Sequence, residues 1–157
     1  MIRKVIRDPA TMQHVQFPNA VDLLHRVRQQ GIRTALATMS TAEQAYVVLA
    51  VLGLHKEFDC VVTCQDVPNG KPHPDIFLLA AHRLHVPPDE CLVVEDSVPG
   101  VRGALAAGMW CVAVPNDFSR RAFASLDSLD PRWVVHQPDE LERVVQRMMV
   151  ERALRRR

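Results

Sequence analysis

Three short polar segments of this sequence carry residue types suited to chemistry, and each follows an apolar run. Thr38, Met39 and Ser40 follow IRTALA; a hydroxyl beside free backbone N–H groups at a helix start suits a phosphate or other oxyanion. Lys71 lies in NGKPHPD, where Pro72 and Pro74 stiffen the backbone and limit where the ammonium can go. A lysine held in that way can neutralise a phosphate or keep a neighbouring carboxylate ionised. Glu95, Asp96 and Ser97 follow CLVV. Adjacent carboxylates repel unless a cation or a lysine offsets them. Hard oxygen ligands beside a phosphate site suit Mg²⁺, which keeps several waters and takes one or two protein carboxylates. Each segment also has a plainer reading. Ser40 explains itself as an N-cap with Thr38 structural, Lys71 as a solvated loop cation, and Asp96 or Ser97 as the cap of a helix starting near 98.

The elements that must position these residues alternate between short apolar runs and helical patterns. Asn19 caps a helix over 20–30 that Gly31 closes, and 32–38 is a buried strand. Ser40 and Glu43 form a capping box for a helix ended by Gly53. A strand over 59–64 leads into a proline- and glycine-broken loop over 65–74. The helix 75–85 is stopped by Pro87 and Pro88, and a strand over 91–95 and a helix over 98–108 follow. A strand over 110–114, a weak helix near 119–126, a last strand over 132–135 and a helix over 139–154 complete the chain. Such alternation predicts an α/β fold, a doubly wound parallel sheet with right-handed crossovers. Ligands of such sheets bind beyond the carboxyl ends of the strands, where all three polar segments lie.

Composition narrows the function classes. At 157 residues with 48% apolar and 24% charged residues, the chain suits one globular α/β domain. Nineteen basic against 18 acidic residues leave a net charge of +1, so no global field recruits nucleic acid. No apolar run is long enough to span a bilayer, and the first residues do not form a signal peptide. Cys60, Cys64, Cys91 and Cys111 lack zinc or redox spacing and read as buried thiols. These features place the protein in the cytoplasm. The terminal RALRRR reads as a solvated, fraying helix end.

Taken together and in order, ALATMS, GKPHPDIF and CLVVEDSVPGVRGALAAGM resemble the haloacid dehalogenase (HAD)-like hydrolase superfamily. The narrower resemblance is to its β-phosphoglucomutase, sugar-phosphate phosphatase and phosphoglycolate phosphatase branch, from about Pro18 to about Asp139. It implies a Rossmannoid core and hydrolysis of a small phosphorylated metabolite with Mg²⁺. Thr38 would bind the transferring phosphoryl group with the Met39 N–H, and Lys71 would stabilise both phosphoryl oxygens and nucleophile. Asp96 would reach Mg²⁺ directly and Glu95 through a bound water, while Ser97 and Gly100 shape the turn. Phosphoryl transfer is mainly positioning and charge neutralisation, and these groups would supply both.

The resemblance also exposes a gap. The family attacks phosphorus with an aspartate of a DxDx[TV] motif on the first strand, forming an aspartyl-phosphate, and no such motif occurs here. Asp8 in VIRDPAT is followed two residues later by Ala10, which cannot exchange a proton. Residues 1–17 read as a linker or remnant of the family's helical cap, 18–154 as the core domain and 155–157 as a basic tail. A chain cut short upstream, with little or no turnover of its own, is the expectation. Without a first strand, the strands ending at Thr38 and Glu95 would each lose a neighbour. The exposed edge would favour self-association, unless the two strands close together or residues 2–7 serve as a makeshift strand.

Overall fold

The computed structural model describes residues 18–155. The cap-remnant reading of 1–17, Asp8, the makeshift strand over 2–7 and the last two tail residues lie outside the described residues. The chain divides into two compact units, Met1–Gly70 with Asp75–His85, and Lys71–Pro74 with Val86–Arg157. Among the described residues, the strands form two two-stranded parallel sheets, one in each unit.

In the first unit the order is α1 (Pro18–Gln29), β1 (Ala35–Ala37), α2 (Ala42–Val51), β2 (Cys60–Val62) and α3 (Asp75–Leu84). Strand β1 pairs with β2 in register Ala35↔Cys60, Leu36↔Val61 and Ala37↔Val62. Flanking bonds from Thr38 N–H to Val62 O (2.9 Å) and from Asp59 N–H to Thr34 O (2.8 Å) lengthen the ladder. Helix α3 packs on both strands. It buries Ile76, Phe77, Ala80, Ala81 and Leu84, the i, i+1, i+4, i+5, i+8 stripe of an amphipathic helix. Three details differ from the sequence reading. Asn19 lies inside α1 rather than capping it, because the helix already starts at Pro18, a residue whose fixed φ suits a first helical position. The cap of α2 is Thr41, not Ser40, and the capping box closes with Gln44 rather than Glu43. Helix α3 ends before the prolines, because His85 turns into the left-handed region at φ 54°.

An ionic clamp fastens the loop after β2 to α3. Arg83 donates to Asp66 Oδ1 at 2.7 Å and to Val61 O at 3.0 Å. The buried Thr63 gives Asp66 Oδ2 both its N–H (2.8 Å) and its hydroxyl proton (2.7 Å). The Arg83 guanidinium first, then the Thr63 hydroxyl and N–H, hold the Asp66 carboxyl down at about 2. A carboxylate depressed from its usual value of about 3.9 stabilises the fold above that pH. That stabilisation is lost as pH falls through about 2. In an acid titration followed by near-ultraviolet circular dichroism, Asp66→Asn is therefore expected to show a smaller loss of signal than the native chain between about pH 4 and pH 2. Superimposable curves would show that the clamp contributes nothing.

The second unit runs β3 (Leu92–Glu95), α4 (Val98–Ala106), β4 (Trp110–Ala113), α5 (Arg120–Phe123) and α6 (Leu141–Arg155). Strands β3 and β4 pair in parallel from Leu92↔Trp110 to Glu95↔Ala113. The ladder continues past the strand ends through Val114 N–H to Glu95 O at 2.8 Å. Cys111, Val112 and Ala113 are buried, as are Val101 and Ala104 of α4. Helix α6 buries Leu141, Val144, Val145 and Met148, again an i, i+3, i+4, i+7 stripe.

The expected strand over 132–135 is instead a 3-10 turn, Pro131–Trp133, followed by a single parallel bridge from Val134 to Ala113. Proline at its start and the Asp130 side chain accepting from Arg132 N–H set that turn. The last helix likewise opens with a 3-10 turn, Pro138–Glu140, and α5 is shorter than expected. Helix α6 is tied down as far as Arg155. Arg152 donates to Glu90 O at 2.8 Å, and Arg155 pairs with Glu151 and lies 5.5 Å from the Trp110 ring centroid. Only Cys111 of the four cysteines is buried; burial, with the Glu95 charge adding to it, pushes its thiol up to about 12. Among the described residues, no helix is long and apolar enough to cross a membrane.

Candidate active site

Strand β3 delivers Glu95 at its carboxyl end, and the chain turns at once into α4. Glu95 is 8% exposed. A buried carboxylate needs compensation, and this one has it at both oxygens. Lys71 Nζ donates to Oε2 at 2.7 Å, with both side chains nearly buried. Ser97 gives Oε1 its N–H at 3.2 Å and its hydroxyl proton at 2.7 Å. The same Ser97 oxygen accepts from Gly100 N–H at 3.1 Å and so caps α4. Gly100 is required by space: a Cβ there would overlap Glu95 Cγ, Cδ and Oε1.

Asp96 is half-buried, and its Oδ2 accepts from Asn116 Nδ2 at 3.0 Å. Burial pushes its carboxyl above the usual range, and the Glu95 charge beside it adds to the shift, with Lys71 opposing. Lys71, Glu95 and Asp96 thus carry one positive and two negative charges in a partly desolvated setting, a deficit that a hard cation relieves. Among the described residues, no three His, Cys, Asp or Glu side chains gather as a metal cluster. Few protein oxygens and excess negative charge fit Mg²⁺, which retains waters.

Thr38 and Met39 belong to the first unit. Thr38 Oγ1 accepts from Ser40 N–H at 3.1 Å, which folds the chain back at the end of β1, and the Ser40 carbonyl accepts from Cys64 N–H at 3.3 Å. The Met39 side chain is 44% exposed and lies against Gly70, where a Cβ would collide with its Cε. The structure therefore brings Lys71, Glu95, Asp96, Ser97 and Gly100 into one cluster in the second unit. Thr38 and Met39 end the strand of the other. The sequence setting of Asn116 does not single it out; its one signal is a place in a loop just past the carboxyl end of a parallel strand.

The family model for haloacid dehalogenase-like hydrolases matches residues 5–108. The chain belongs to that family. It has the HAD-like Rossmannoid α/β fold, with parallel strands and intervening helices. Hexitol phosphatase A of Escherichia coli is 37% identical over 127 residues, 78% of this chain and 58% of that protein. The phosphorylated carbohydrates phosphatase of Thermotoga maritima is 41% identical over 92 residues, 59% of this chain and 43% of that one. Among solved structures, CbbY from Rhodobacter sphaeroides in complex with phosphate aligns with a TM-score of 0.72 at 30% identity. That alignment covers 85% of this chain and 60% of CbbY. This HAD-family chain thus spans about half the length of the two phosphatases.

Proposed function

We propose that this chain is the phosphate- and Mg²⁺-binding part of a phosphomonoester hydrolase acting on a small phosphorylated metabolite, a sugar phosphate or phosphoglycolate. The observation that carries the reading is the buried Lys71–Glu95 pair with Asp96 beside it, at the carboxyl end of a parallel strand. The phosphatase names of its relatives support the same substrate class. Asp96 is the carboxylate that would hold Mg²⁺ directly, since both Glu95 oxygens already accept protein donors; Glu95 would act through a water. Mg²⁺ when bound supplies charge neutralisation to phosphoryl oxygens.

The chain's own groups divide the remaining work. Lys71, held in place by Glu95, presents a fixed positive charge to the phosphoryl oxygens. In the first unit, Thr38 Oγ1 is braced by Ser40 N–H and retains its hydroxyl proton; the family resemblance assigns that hydroxyl and the Met39 N–H to phosphate binding. The aspartyl-phosphate chemistry of the resemblance needs a DxDx[TV] aspartate, and none stands in these 157 residues. Little or no turnover by the 157-residue chain follows. The same absence favours a second reading, a phosphate- and Mg²⁺-binding module that never turns over. The half-buried thiols and a near-neutral charge suit a reducing cytoplasm without nucleic-acid partners.

The test combines an aryl phosphate assay with thermal melting of the 157-residue chain. Mg²⁺ and inorganic phosphate are expected to raise the melting midpoint, because ligands that bind only the folded state stabilise it. Asp96→Ala is expected to abolish the Mg²⁺ shift, and hydrolysis is expected to stay at background. Robust hydrolysis would place a nucleophile within these residues. A midpoint indifferent to Mg²⁺, or an Mg²⁺ shift that survives Asp96→Ala, would overturn the proposed site.

A further inference from the structure

We propose that Asn116 is a positioning residue for Asp96: its side-chain amide fixes the carboxylate that is to meet the cation, an inference that rests on the Mg²⁺ reading above. Beyond β4 the chain keeps its place alongside β3 through Val114 N–H to Glu95 O, which brings the next residues level with Asp96. There Asn116 Nδ2 donates to Asp96 Oδ2 at 3.0 Å.

The direction of that bond is settled by the rest of the side chain. Asn116 Oδ1 accepts from Phe118 N–H and from Ser119 N–H, both at 2.9 Å. An amide oxygen engaged by two N–H donors cannot exchange places with its nitrogen, so Nδ2 must be the atom that faces Asp96. The backbone locks the residue further: Asn116 N–H donates to Ser119 Oγ at 3.0 Å, and Asn116 O accepts from Arg120 N–H at 2.8 Å. Oδ1 and the backbone groups are thereby committed within the turn, and Nδ2 is left to donate to the Asp96 carboxylate.

A purely local role does not account for asparagine here. Aspartate and serine build the same turn by accepting the same backbone N–H groups. Neither offers a donor that reaches Asp96 while doing so. Asp96 needs that donor, because it is half-buried next to the Glu95 charge, and Lys71 is already bonded to Glu95. Groups that orient a metal-ligating carboxylate typically change metal affinity 10- to 100-fold when removed.

Two measurements on the 157-residue chain test this. In isothermal titration with Mg²⁺ alone, Asn116→Ser, which keeps the turn and removes the amide, is expected to bind about tenfold or more weakly than the native chain. In the metal-free protein, the Asn116 side-chain amide protons, assigned by triple-resonance correlation to the Asn116 Cβ and backbone, are expected to shift upfield in Asp96→Ala. This second readout needs neither metal nor the folding of the serine variant, and a residue that only built the turn would not move it. Native Mg²⁺ affinity in Asn116→Ser, or amide protons indifferent to Asp96→Ala, overturns the positioning role. A native chain that binds no Mg²⁺ while the amide protons still respond to Asp96→Ala overturns the metal reading instead.

Discussion

Lys71→Met is expected to lower the thermal midpoint of the chain by on the order of ten degrees at neutral pH. Glu95 is 8% exposed and holds Lys71 at 2.7 Å. Removing one partner of a buried ion pair costs about 3–5 kcal/mol, because the remaining charge is left without compensation. For a chain of this size each kcal/mol moves the midpoint by about 2–4 °C. Adding Glu95→Gln should recover much of the loss, since a neutral amide no longer demands a cation. Circular dichroism melts of the native, single and double variants measure both effects. A single variant within about 2 °C of native would mean that Glu95 is not desolvated as its surroundings imply.

Gly100→Ala is expected to be nearly as damaging, against the trend of helix propensity. Inside a helix, alanine is favoured over glycine by about 1 kcal/mol. Here its Cβ would overlap Glu95 Cγ, Cδ and Oε1. Glu95 cannot swing aside without leaving Lys71 and the Ser97 hydroxyl. Overpacking costs about 1–3 kcal/mol, and displacing the ion pair adds to it, so the clash outweighs the propensity gain. The sign is decided by a second background. In a Glu95→Ala chain the obstacle is gone, and Gly100→Ala should become neutral or stabilising there. If the two changes add instead, the close approach of Gly100 to Glu95 is not what makes glycine necessary.

Much of this is legible in the sequence. Apolar runs closed by Gly31, Gly53 and Gly108 mark the order of helices and strands, and all three glycines adopt positive φ. The segments around Thr38, Lys71 and Glu95 stand out because each lies at or after the carboxyl end of a parallel strand, where such sheets bind ligands. Other features depend on contacts that no local pattern contains. Ser40 and Thr41 are equally good caps by composition, and the choice falls on Thr41 because Gln44 reaches back to its N–H at 3.2 Å. His85 carries no glycine or asparagine signal for its left-handed turn. The β-forming residues Trp133, Val134 and Val135 suggest a strand, yet Pro131 and Asp130 set a 3-10 turn first. Nothing in the order of Glu95 and Asp96 says which of them takes the lysine. That assignment needs the burial of one, the cap at Ser97 and the space over Gly100. Asn116 was invisible for the same reason, since its partner is 20 residues away.

The anchoring of α6 has a consequence for how the second unit can change. Arg152 and Arg155 grip Glu90 and Trp110, at the amino ends of β3 and β4. Glu95, Asp96 and Asn116 occupy or follow the opposite ends of the same strands, about 10 Å away at roughly 3.3 Å per residue. The anchoring contacts and the carboxylate cluster thus lie at opposite poles of one short ribbon. Substitutions more than about 7–10 Å apart that share no partner act nearly additively, so a change that loosens the clasp at Arg152 or Arg155 should leave the bonds of Glu95 and Asp96 intact.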